Sequence, residues 1–137
     1  MATVHKNPIK EAQRYLDNAR EILSTKAEKD GGYYNDPKYV RMAGDTAWKG
    51  VLIALDGVLP VRKNLKPKQR PDIKDYLDAL NKKDKKMPRT LKTAYDLLHL
   101  TLGYDGVLSY KIVQTAMDEG KYVISWAAKH YKGAESA

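Results

Sequence analysis

The chain has 137 residues, of which 42% are hydrophobic and 31% charged, and its formal net charge is +8. That is enough for one domain, residues 1–137, with a core of its own. There is no cysteine, which excludes disulfides and thiolate metal sites. The longest unbroken apolar run, Val51 to Leu55, is far too short to span a membrane. The opening MATVHKN lacks the apolar region of a secretory signal. A cytoplasmic protein with no membrane partner is expected.

Asn7 and Pro8 open the first helix: an N-cap side chain can accept from a free backbone N–H, and proline at the first helical position loses nothing. Ile9, Ala12, Tyr15, Leu16, Ala19, Ile22 and Leu23 make one apolar face that runs to about Ala27. EKDGGYYND reads as a loop in which Gly31 and Gly32 end the helix. Tyr33 and Tyr34 either cover the end of the helices or offer a stacking surface.

Asp36 and Pro37 repeat the cap-then-proline signal, and Pro60 stops the second helix. Between them Val40, Ala43, Ala47, Val51, Ala54, Leu55 and Val58 recur at helical spacing, and Trp48, Leu52 and Leu59 widen the stripe. A helix apolar over so much of its surface is expected at the centre of the fold. Its polar strip, Arg41, Asp45, Lys49 and Asp56, reads as a solvated edge with i,i+4 pairing.

PVRKNLKPKQRP, residues 60–71, holds three prolines and five cations and reads as an extended, self-repelling connection. A short helix follows, from about Asp72 to Asn81, with Ile73, Tyr76, Leu77 and Leu80 facing inward. After a second basic turn, NKKDKKMP, a fourth helix runs from Pro88 to about Leu102. Its Leu97 and Leu100 fall off the main apolar face, so it is either interior or part of a dimer surface. GYDG, residues 103–106, is a tight turn, and the last helix spans about Val107 to Tyr131. Gly120 on its inner face is expected to admit a close neighbour, since glycine within a helix costs about 1 kcal/mol relative to alanine. Residues 1–6 and 132–137 are expected to fray. The expected fold is all-α, an up-and-down bundle of four long helices plus one short helix.

The charge is localised. Arg62, Lys63, Lys66, Lys68, Arg70, Lys74, Lys82, Lys83, Lys85, Lys86, Arg89 and Lys92 face only Asp72, Asp75, Asp78 and Asp84 within residues 61–92, while the rest of the chain is neutral. Such asymmetry marks either a solvated face or a surface for an anionic partner such as RNA. The residues named for anion binding are Arg62, Lys63, Lys66, Lys68, Arg70, Lys82, Lys83, Lys85, Lys86 and Arg89.

Signs of catalysis are sparse. The three histidines, His5, His99 and His130, have no acid at metal-ligand spacing, so no metal and no cofactor are expected. His130, one turn after Trp126 and two turns after Glu119, reads as a packed aromatic pair or as half of an acid/base pair. Lys92 and His99 are seven residues apart, about two helical turns. A cation beside a general-base imidazole is a pair that phosphodiester cleavage of RNA could use.

The run AQRYLDNAREIL, the Gly/Tyr loop and DPKYVRMAGDTAWKGVLIALDGVL together resemble the opening two helices of HEPN-like helical bundles, near a small family of uncharacterised bacterial proteins. The resemblance covers residues 8–60 and beyond them extends only to helix count. It implies an antiparallel bundle that dimerises and, in many members, an RNase built on an Arg-x(4–6)-His motif. Here Arg89 stands ten residues before His99, and Lys92-x6-His99 has the spacing with lysine in place of arginine, which lacks the planar bidentate fork. The resemblance therefore implies a catalytically inactive relative. The expectation is a non-enzymatic, homodimeric binding or accessory module. The alternative is an RNA-directed protein, either a binder through residues 61–92 or a divergent HEPN-type RNase through Lys92 and His99.

Overall fold

A computed structural model describes residues 7–63 and 65–133. The segments 1–6 and 134–137 of the expected frayed tails, and Asn64 in the basic loop, lie outside the described residues. The architecture is mostly helical, with helices α1 (Pro8–Thr25), α2 (Pro37–Asp56), α3 (Ile73–Lys83), α4 (Met87–Ala94) and α5 (Tyr110–His130). Among the described residues, no helix is long and apolar enough to cross a membrane.

The helix starts follow from local chemistry. Asn7 Oδ1 accepts from Lys10 N at 3.1 Å and Asp36 Oδ1 accepts from Lys38 N at 2.9 Å, and in both cases proline occupies the first turn. At α3, Asp72 and Asp75 form a reciprocal capping box, each carboxylate accepting from the other residue's backbone N–H, at 3.0 and 2.8 Å.

α2 is the centre of the core. It packs most extensively on α1 and also meets α5 and the segment after α4. Val40, Val51 and Leu55 of α2 are fully buried beside Leu80, Leu91, Leu98, Leu102, Met117 and Ile124 from the later helices. Each such side chain is worth about 1.5–3 kcal/mol relative to exposure.

Four local features differ from the reading of the sequence. The loop after α1 contains a minimal antiparallel hairpin, β1 (Lys29–Asp30) paired with β2 (Tyr33–Tyr34) in the register Lys29↔Tyr34 and Asp30↔Tyr33. Strands this short carry no alternation by which a sequence could announce them, and Gly31 makes the turn at φ 65°. Tyr34 N donates to Leu108 O and Tyr110 N to Gly32 O, both at 2.9 Å. Residues ahead of Tyr110 are thereby engaged by the hairpin, and α5 starts later than its apolar pattern suggests. The two tyrosines divide the two roles considered for them: Tyr34 is buried against the core, and Tyr33 is exposed.

The fourth helix changes winding. α4 runs without a break into a π segment, Tyr95–Leu102. Its i→i+5 bonding spends more residues per turn than an α-helix. No glycine or proline marks the change.

The basic connection contains turns at residues 60–63 and 66–69. Lys63 N donates to Pro60 O, Leu65 N to Arg62 O and Gln69 N to Lys66 O, at 3.3, 3.1 and 3.0 Å. Arg62 Nη2 donates to Pro67 O at 3.0 Å. Buried Leu59 and Val61 anchor its first turn, so apolar anchoring and carbonyl acceptors outweigh repulsion between exposed cations in high-dielectric water.

The polar strip of α2 is also more engaged than a solvated edge. Asp45 and Arg41 lie against the backbone at Gly103 and Gly106, and Asp56 accepts from Tyr76 of α3. Close approach without a Cβ is what allows the 103–106 turn to sit on α2.

Candidate polyanion-binding face

α3 and its two flanking loops carry the cations singled out in the sequence. Arg62, Lys63, Lys66, Lys68, Arg70, Lys82, Lys83, Lys85, Lys86 and Arg89 are all exposed. Three of them converge. Lys63 from the loop and Lys82 and Lys83 from the last turn of α3 line one cleft of about 470 Å3, floored by Leu59, Val61 and Leu65. Lysines in the last turn of a helix also offset the partial negative charge of its C-terminus.

Asp75 and Asp78 line the same cleft, but Asp75 is already committed to the capping box. Among the described residues, no carboxylate lies within ion-pair range of Lys63, Lys82 or Lys83. Asp72, Asp75 and Asp84 accept from backbone N–H groups instead. Asp84 accepts from Lys86 N and from the indole N–H of Trp126, both at 3.0 Å. Those two donations, with the Lys86 backbone foremost, hold its carboxyl below the usual range. The lysines of the cleft thus keep their charge available at the surface. Sequence reading missed the floor: Leu59 and Val61 flank Pro60, and apolar residues beside a proline in a basic loop were the available signal.

Lys92 and His99 each have close neighbours of their own along this helix. The π winding places seven residues at less than two turns, and Lys92 Nζ lies 5.3 Å from the Tyr95 ring centroid. Lys92 Nζ is held by Asp96 Oδ1 at 2.6 Å. The His99 ring joins an aromatic cluster, with centroids 5.2 Å from Tyr95 and 6.1 Å from Trp48. Its Nδ1 is buried, with no hydrogen-bond partner among the described residues. His130 stacks on Trp126 at 4.2 Å, and its Nδ1 lies 2.9 Å from Trp126 O. This is the packed aromatic pair, and it sits next to Asp84, not in a pocket with Glu119. Among the described residues, no group of three His, Asp or Glu could hold a metal ion.

These features define a mostly helical domain with a lysine-lined cleft between α3 and the loop before it. The chain belongs to the family described as a domain of unknown function, DUF5618, whose model matches residues 7–129. It is similar to a solved protein of unknown function from Dyadobacter fermentans, with 38% identity over 93% of this chain and 98% of that chain, and a TM-score of 0.82. No curated protein matches.

Proposed function

We propose that this protein is a non-enzymatic, cytoplasmic binding module that holds a polyanion, RNA being the model partner, on the side formed by residues 61–92. The observation that carries this reading is the convergence of Lys63, Lys82 and Lys83, from two separate stretches of chain, on one cleft free of ion-paired carboxylates. Flexible lysine ammonium groups suit phosphates as point charges and give affinity without base readout. The engagement of Lys92 by Asp96 and the packing of His99 among aromatics favour binding over the divergent HEPN-type RNase.

The test is fluorescence anisotropy with a labelled single-stranded RNA over a range of salt. Affinity should fall by roughly 0.7 log units per log unit of salt for each phosphate contact. Replacing Lys63, Lys82 and Lys83 with glutamine should lower that slope by about 2. Absence of binding at low salt, or an unchanged slope in the triple variant, rejects the reading. Exposure of Leu100, at 39%, supports self-association through the π segment, whereas Leu97 packs against the core. Light scattering that returns a monomer at high concentration rejects the homodimer.

A further inference from the structure

A second cleft lies at the opposite end of the helices. Pro8 at the start of α1 touches Gly57 at the end of α2, close to where the basic loop begins. The other end is closed by the hairpin and the start of α5. There the second half of α1, β1–β2 and the first turns of α5 enclose about 390 Å3, within the usual range for small-molecule sites.

The lining is chemically one-sided. Arg20 and Lys29 bring two cations, Gln114 an amide and Tyr34 a phenol, and no Asp or Glu is present. The neighbouring groove along α1 and α5 includes Asp17, and the cleft beside α3 includes Asp75 and Asp78. Gln114 Nε2 donates to Tyr34 Oη at a long 3.4 Å, and the phenolic proton itself has no acceptor among the described residues. Burial pushes the Tyr34 phenol up, so it remains a donor. Lys29 Nζ rests 4.2 Å from the Tyr110 ring centroid, a weak surface contact that an anion can replace with a charge-assisted bond. Beside the donors, buried Leu23 and Met117 and the ring of Tyr110 supply apolar surface.

We propose that this cleft binds a small amphipathic carboxylate, with Arg20, Lys29 and the Tyr34 hydroxyl on the carboxylate and Leu23, Met117 and Tyr110 against an apolar or aromatic body. An acid-free lip with two cations beside an apolar wall selects against cations, which find no acceptor charge, and against fully polar anions, which gain nothing from the wall.

The experiment is an amide-resolved NMR titration of the full chain with 3-phenylpropionate, with its neutral twin 3-phenylpropionamide in parallel. Saturable shifts at Leu23, Lys29, Tyr34 and Gln114 are expected at millimolar ligand, with the amide at least roughly tenfold weaker. Arg20 and Lys29 are exposed, so the double variant R20Q/K29Q should keep its melting temperature and lose binding by a similar factor. Q114E should lose it as well, because it places a carboxylate in the cleft. Absence of saturable shifts overturns the proposal. Equal binding of the amide overturns it in favour of a merely apolar patch, and shifts confined to residues 61–92 overturn it in favour of the basic face.

Discussion

Tyr76 donates its hydroxyl proton to Asp56 Oδ1 across 2.7 Å, joining α3 to the last residue of α2. Tyr76 is only 4% exposed. Burial first, and then the adjacent carboxylate, raise its ionisation far above the ordinary phenol value of 10.0. A group raised in the folded state stabilises fully below its unfolded value and loses that contribution as pH climbs past it. Wild-type stability should therefore decline above about pH 10. Tyr76→Phe should cost about 1–2 kcal/mol at pH 7 and should soften this alkaline decline. Urea unfolding at pH 7 and pH 10.5 separates the two effects.

Asp84 gives the opposite sign. Its carboxyl is held below the ordinary 3.8, first by the Lys86 backbone N–H and then by the Trp126 indole. A depressed acid contributes stability that is present above its unfolded value and lost as pH falls through the folded one. Asp84→Asn should thus weaken the loss of stability below about pH 4. It should also alter Trp126 emission at neutral pH, because the indole's acceptor changes from a carboxylate to an amide. A pH series of urea unfolding curves with tryptophan fluorescence reads both.

Two glycines on helix faces should respond differently to alanine. A Cβ on Gly44 would meet Leu102 Cβ at 2.6 Å, Gly103 N at 2.7 Å and Leu98 O at 2.7 Å, all of them backbone or next to it. A Cβ on Gly120 would meet chiefly Leu98 Cδ1 at 2.8 Å, the tip of a side chain that can turn aside. Gly44→Ala should destabilise by about 2–3 kcal/mol or more. Gly120→Ala should cost less than about 1 kcal/mol, because the helix propensity of alanine offsets the crowding. Chemical denaturation of both variants side by side settles the order.

Glu28 sits at φ 52°, the left-handed region, where a non-glycine residue is uncommon. Its carbonyl accepts from Asn35 N at 2.8 Å, which fixes the conformation. Glu28→Gly should stabilise by about 0.5–1 kcal/mol, the steric relief exceeding the added chain entropy. Glu28→Val should destabilise by at least about 1 kcal/mol. Melting temperatures of the two variants on either side of wild type would bear this out.

What could be read from the sequence was the part governed by short spacing. The Asn7–Pro8 and Asp36–Pro37 starts, the broad apolar stripe of α2 and the close packing at Gly120 all depend on residues a turn or two apart. The change of winding after Ala94 depends on what α2 offers across the interface. Gly44 yields room to Leu98 and Leu102, and Trp48 meets Tyr95 and His99. No single stretch contains that information, so Gly44 escaped notice. The basic segment was legible as charge. The meeting of Lys63 with Lys82 and Lys83 was not, because it rests on two apolar residues beside Pro60 folding their turn back onto α3.

The seam between the hairpin and the start of α5 has a consequence for how the molecule moves. The amides of Tyr34 and Tyr110 find their acceptors across it, in Leu108 and Gly32, and not within their own elements. Their exchange with deuterated solvent therefore clocks the lifting of the hairpin away from α5, while the amides of Val51 and Leu55 within α2 clock the opening of the interior. Exchange at these two amides thus times the opening of the end that holds the acid-free cleft separately from unfolding.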